Sequence, residues 1–338
     1  MPERAIALHL SLSAASQDRC RSQITCQAAA LPRRPPICRE DSRHEPKRLV
    51  RPLRCVYKRW VQSEGERIED WVDPRRWLAT NLVGISSADL ASTRFNANPV
   101  PLRIAAARAT HPGLFALLED TDTLEDASEV FEHYMRVAFS LHKPTAAGKR
   151  EQRASRASYG KLLQGWSFDA NSPQGAVLKG WVESRFGIAP TFHGAALDAF
   201  PSPAWLRYIE EKLSSRFHSN CIYMQLDVLY EFCQWSVSRF TPLGPGRHVR
   251  LYRGTHASEL CFLRGSIRER RGIVRLNNLV SLTLSRERAE EFGDYICEVE
   301  VPCVKLLFYP SLLRDRTLRG EGEALVIGGD FEMEVRYV

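Results

Sequence analysis

Glu321 and Glu323 stand two residues apart where a glycine-bearing turn, Gly320 and Gly322, runs into the apolar stretch Ala324-Leu325-Val326-Ile327. Alternate side chains of an extended strand share a face. Both carboxylates therefore point the way Leu325 and Ile327 do, toward protein. Two carboxylates on such a face are costly unless a cation or a reaction makes use of them. A solvated turn rim is the other reading of the same residues.

Two stretches upstream bear on that choice. In His248-Val249-Arg250-Leu251-Tyr252-Arg253, Val249 and Leu251 alternate as in a strand and Arg253 falls on their face. An inward guanidinium at a strand end is suited to a bidentate grip on phosphate. In Asn278-Leu279-Val280-Ser281-Leu282-Thr283, the hydroxyls of Ser281 and Thr283 share one strand face. Ser285 then reads as a helix N-cap and Gly293 as the stop after that helix.

An inward Arg, a Ser-x-Thr strand and a Glu-x-Glu turn, in that order, resemble the signature of the arginine-specific mono-ADP-ribosyltransferases. Residues 164–166, 175–186, 202–217 and 320–329 look like the branch of that family that modifies dinitrogenase reductase, and the likeness runs from about residue 80 to 338. The resemblance implies NAD as a substrate, an arginine of dinitrogenase reductase as acceptor, inactivation of nitrogen fixation, and a PII-type signalling protein as regulator. It also implies a fold in which two small antiparallel sheets pack around an NAD cleft.

The chemistry so implied breaks the bond between nicotinamide and ribose. The leaving group is already cationic, so no strong acid is needed, and the transition state is oxocarbenium-like as in glycoside hydrolysis. Carried onto this chain, the main catalytic carboxylate is Glu323. Glu321 holds the acceptor guanidinium, whose pKa above about 12 makes it a poor nucleophile without a carboxylate partner. Arg253 binds NAD phosphate. Ser281 positions Glu323 and shapes the nicotinamide–ribose pocket, with Thr283 supporting the strand. Leu282 departs from the Ser-Thr-Ser pattern, which bears on Thr283 and not on Ser281. The chain has no GxGxxG, so NAD is not expected to bind in the Rossmann manner. The alternatives are another arginine-specific ADP-ribosyltransferase, an NAD glycohydrolase with water as acceptor, and a non-catalytic binding module using the basic N-terminal residues.

Around these residues the chain divides by charge and pattern. It has 338 residues and a net charge of +7. Residues 1–54 hold 11 Lys/Arg against 5 Asp/Glu, which is +6; the rest holds 36 against 35, which is +1. The basicity belongs to this Arg-, Ser- and Pro-rich tail, expected to be disordered, and the body offers no electrostatic case for nucleic acid. No apolar run reaches the roughly 18 residues of a membrane span, and a cytoplasmic protein is expected.

The nine cysteines show no C-x-x-C spacing and no ligand cluster forms with His or carboxylates, so no metal is expected. Cys233 and Cys297 read as small buried hydrophobes. His193 and His218 read as isolated structural histidines, and Trp166, Trp181, Trp205 and Trp235 as core.

Residues 55–240 read as mainly helical. Spacing predicts a helix over 119–139, a helix capped by Ser202 with Pro203 at its first position, and an amphipathic helix over 222–240. Residues 143–158 read as a polar loop. Residues 241–338 read as β-rich, with runs at 248–253, 278–284, 295–301, 304–309, 323–328 and 331–337. A helical half followed by an antiparallel β-rich half is an α+β fold.

Overall fold

Among the described residues helices come first and strands last. The computed structural model describes residues 81–141, 157–314 and 322–338. The helices are α1 (Ser87–Ala91), α2 (Thr93–Ala97), α3 (Ala107–Thr110), α4 (Pro112–Glu119), α5 (Leu124–Ala138), α6 (Tyr159–Phe168), α7 (Pro173–Phe186), α8 (Pro203–Ser214) and α9 (Asn220–Phe240). Then come β1 (His248–Thr255), β2 (Phe262–Ser266), β3 (Arg271–Thr283), the short α10 (Arg286–Ala289), β4 (Tyr295–Pro302), β5 (Leu306–Phe308) and β6 (Glu323–Tyr337). This is the α+β order that the hydropathy pattern predicts. The basic tail, residues 55–80, most of the 143–158 loop and Glu321 lie outside the described residues.

Hydroxyl caps start the longer helices. Thr123, Ser158, Ser172, Ser202 and Ser219 each accept a hydrogen bond from a backbone N–H in the first turn of α5 to α9 respectively. These N–H groups have no partner inside the helix, which is why such caps are favoured. Pro203 follows Ser202 at the first position of α8 as expected.

Helix α9 departs from the amphipathic expectation. Residues 222–236 are buried almost all round, because α9 packs between α3, α5, α6 and β5. On one side Phe232 stacks on Phe131, with ring centroids 4.1 Å apart. On another, Gln234 donates to the carbonyls of Leu306 (2.8 Å) and Cys303 (3.2 Å), and Tyr230 to that of Val304 (2.8 Å). The Glu231 carboxylate is fully buried, held by Arg103, Arg108 and the Ile104 N–H. Cys233 and Cys297 are buried as expected.

The strands join into one antiparallel sheet in the order β2-β3-β1-β4-β6-β5, with β3 also pairing β6. In place of the two small sheets expected, the described strands form this one sheet, because its two longest strands, β3 and β6, also pair with each other. Near the start of β6, Thr283 faces Glu323 and Leu279 faces Ile327; further along, Leu276 faces Gly329 and Arg271 faces Glu334. Between these stretches the register slips at Asn277 and Asn278.

Gly328 lies against that bulge, where a Cβ would stand 1.7 Å from the Asn277 carbonyl oxygen. Gly329 adopts φ +123 and packs on Ala91. The glycine pair lets the strand bend rather than stop, so the runs 323–328 and 331–337 form one strand.

The same bulge clasps the helical half. Asn278 donates to the carbonyls of Lys179 and Ile188, both at 2.9 Å. Asn277 accepts from the Thr191 N–H (3.0 Å) and donates to the Phe192 carbonyl (2.8 Å). His193 is not isolated: its Nδ1 lies 3.1 Å from Lys179 Nζ and its Nε2 2.9 Å from Glu211 Oε2. Burial lowers the pKa of His193, and that of Lys179 to about 8. Among the described residues, no helix is long and apolar enough to cross a membrane.

Candidate active site

Three strand ends place the candidate side chains. β3 finishes at Thr283, whose Oγ1 accepts from the Ser285 N–H at 3.2 Å and so turns the chain. Ser285 then caps α10 by accepting from the Arg288 N–H, as its position predicts. α10 packs on β1 because Gly254 has no side chain; a Cβ there would sit 1.9 Å from the Ala289 carbonyl oxygen. Gly293 follows this helical turn in an extended conformation, φ 164. Close approach explains it: a Cβ would meet the Thr255 carbonyl oxygen at 2.4 Å. Gly322, at φ +62, leads into β6 with Thr283 Oγ1 and Arg288 beside it.

The result is a small polar cluster. Ser281 Oγ donates a hydrogen bond to Glu323 Oε1. Arg253 Nη1 donates to the Ser281 carbonyl oxygen at 3.0 Å. Trp166 of α6 reaches across from the helical half and donates its Nε1–H to Ser281 Oγ at 2.8 Å. A guanidinium, a hydroxyl and a carboxylate thus meet around one residue of β3. That donor and acceptor set can bind an anionic phosphate at one end and stabilise a developing cation at the other.

Of the residues singled out from the sequence, Arg253, Ser281 and Glu323 come together. Thr283 lies directly opposite Glu323 on the ladder and opposite Tyr252 of β1. It is buried, and its hydroxyl accepts from the Ser285 N–H in the chain turn. Glu321 lies outside the described residues.

Trp166 is the site residue that spacing does not reveal. It reads as core, and it is core, at 3 % exposure. The one signal available is that a buried indole N–H needs an acceptor.

Cys297 pairs with Arg253 across β1 and β4. Burial pushes its thiol up to about 11, against the opposing pull of the Arg253 charge. It is therefore no thiolate nucleophile near neutral pH. A surface cavity of about 670 Å³ lies elsewhere, lined by Ala195, Asp198, Ser202, Pro203 and Arg207 among others.

A family model described as dinitrogenase reductase ADP-ribosyltransferase matches residues 80–335. The NAD(+)–dinitrogen-reductase ADP-D-ribosyltransferase of Rhodospirillum rubrum is 46% identical over 266 residues, which is 77% of this chain and 95% of that relative. No solved structure matches the chain.

Proposed function

The chain belongs to the dinitrogenase reductase ADP-ribosyltransferase family, and from that premise we propose that it moves ADP-ribose from NAD to one arginine of dinitrogenase reductase, inactivating nitrogen fixation. It is a transferase. The single observation that carries the proposal to named residues is the convergence of Arg253, Ser281 and Glu323. Each comes from a different one of the three stretches that carry the resemblance.

In this proposal Glu323 hydrogen-bonds the ribose and faces the positive charge that develops as nicotinamide leaves. Ser281 holds that carboxylate in place. Arg253 grips phosphate, and Thr283 keeps the end of the strand in register. Glu321, two residues before Glu323, engages the acceptor guanidinium. A cytoplasmic location and control by a PII-type signalling protein complete the proposal, on the strength of the family likeness.

Labelled NAD, purified dinitrogenase reductase and this protein, as wild type and as Glu323→Gln, test it. Label on the reductase that disappears in the variant establishes reaction, acceptor and catalytic carboxylate together. Release of nicotinamide with no label on the reductase would replace transfer by NAD hydrolysis. Glu321→Gln separates the two activities in the same assay. It is expected to reduce transfer to arginine far more than hydrolysis of NAD.

A further inference from the structure

We propose that Trp166 is a positioning residue for the Glu323 carboxylate, acting through the Ser281 hydroxyl. The proposal rests on Glu323 being the catalytic carboxylate.

An indole N–H can only donate, and a serine hydroxyl has a single proton. With Trp166 Nε1 2.8 Å from Ser281 Oγ, the indole proton occupies one lone pair of that oxygen. The hydroxyl proton is then directed to Glu323 Oε1. The main chain of Ser281 is fixed as well, by Arg253 Nη1 on its carbonyl oxygen. A lone serine hydroxyl can swing among three staggered wells. This one is held by a chain of hydrogen bonds running Trp166 to Ser281 to Glu323. A carboxylate supplied with a fixed donor stays ionised and in one orientation, which is what electrostatic stabilisation of a cation requires.

The indole is itself held. Trp166 is buried, and the Lys179 ammonium lies 5.8 Å from its ring centroid. The next residue toward the N-terminus is Gly165, where a Cβ would come within 2.9 Å of the Gln174 side chain, so α6 sits tightly on α7. Lys179 belongs to α7, and its carbonyl accepts from Asn278, three residues before Ser281. One helix therefore supports both the donor and the strand that carries its acceptor. The helical half is in this way part of the catalytic geometry and not only a scaffold behind it.

The test is a double-mutant cycle with Trp166→Phe and Ser281→Ala, read by transfer of label from NAD to dinitrogenase reductase. Trp166→Phe keeps an aromatic ring and removes the N–H. Losing one hydrogen bond in the network is expected to lower kcat by roughly five- to tenfold, with KM for NAD within about twofold of wild type. The acid limb of the kcat profile is expected to move to higher pH, since the Ser281 hydroxyl, no longer held by the indole, donates less firmly to the carboxylate. In the Ser281→Ala background, Trp166→Phe is expected to cost nothing more. Benzothienylalanine at position 166, which exchanges only the N–H for sulfur, repeats the measurement should phenylalanine disturb packing. Equal losses in both backgrounds, or an unchanged kcat and acid limb with either replacement, overturn the proposal. If Glu323→Gln is fully active in the same assay, the catalytic reading of Glu323 falls and this proposal falls with it. If Glu323→Gln is inactive and Trp166→Phe is not impaired, only the positioning role falls.

Discussion

Glu323 faces Thr283 across the β3–β6 ladder, yet its carboxylate takes its hydrogen bond from Ser281, which lies diagonally on the same face. Directly opposite residues share a face, and diagonal neighbours stay within reach of long side chains. The glutamate leans along the strand to the serine, and the buried threonine is left to secure the turn.

That geometry makes charge and reach separable. Glu323→Gln keeps the shape and removes the charge, and is expected to lower kcat by roughly a hundredfold or more while NAD binding is mostly retained. Glu323→Asp keeps the charge but withdraws it by one methylene from Ser281, and a large loss of kcat is expected there too. Steady-state kinetics against NAD decide the matter. A loss confined to KM would remove Glu323 from the chemical step.

Arg253 is expected to act on binding. Its guanidinium has one N–H on the Ser281 carbonyl oxygen at 3.0 Å, and its fork offers further donors to phosphate. Lysine at this position retains charge without the fork. Arg253→Lys is therefore expected to raise KM for NAD by about tenfold or more, with a smaller effect on kcat. Titration of the variant with NAD, followed by calorimetry, would show unweakened binding if the guanidinium does not hold the dinucleotide.

The outline of the fold could be read from patterns one strand or one helix long, and the three converging residues from such patterns together with the resemblance to a known signature. Ser202, Ser285 and the 248–253 run are local signals, and each is found where expected. What spacing could not show is decided by contacts distant along the chain. Gly328 and Gly329 look like a break between two strands. They form a bend in one strand because Asn277 and Ala91, far from them in sequence, leave no room for a Cβ. The α9 pattern predicts one apolar face, whereas β5 and three helices bury it all round. Trp166 looks like core because periodicity reports burial and says nothing of where an N–H points.

The bend makes a stability prediction. Gly328→Ala would place a methyl 1.7 Å from the Asn277 carbonyl oxygen, so the bulge must move. Its asparagines hold Lys179, Ile188, Thr191 and Phe192. A cost of about 2–3 kcal/mol is expected, which for a chain of this size lowers Tm by roughly 5 °C or more. Thermal melts followed by circular dichroism measure it. An unchanged Tm would mean that the two halves of β3 do not depend on this contact.

Lys305 makes the pH prediction. Its side chain is fully buried, with Nζ 3.3 Å from the Gly328 carbonyl oxygen and 4.7 Å from the Phe331 ring centroid. Burial lowers its pKa from 10.5 to about 7, with the Asp330 charge opposing. Between those two values the unfolded chain binds more protons than the folded one, so stability rises with pH across that window. The slope from this residue approaches about 1.4 kcal/mol per pH unit. Below pH 7 the penalty is fully present, and above about 10.5 it has gone. Lys305→Met removes the titrating group, while Lys179, whose pKa is lowered in the same direction, remains in both proteins. The variant is therefore expected to gain stability over wild type at pH 7, and that gain is expected to shrink by pH 9. Urea midpoints at the two pH values measure the difference. A difference that does not change with pH would mean that Lys305 keeps its proton in the folded protein.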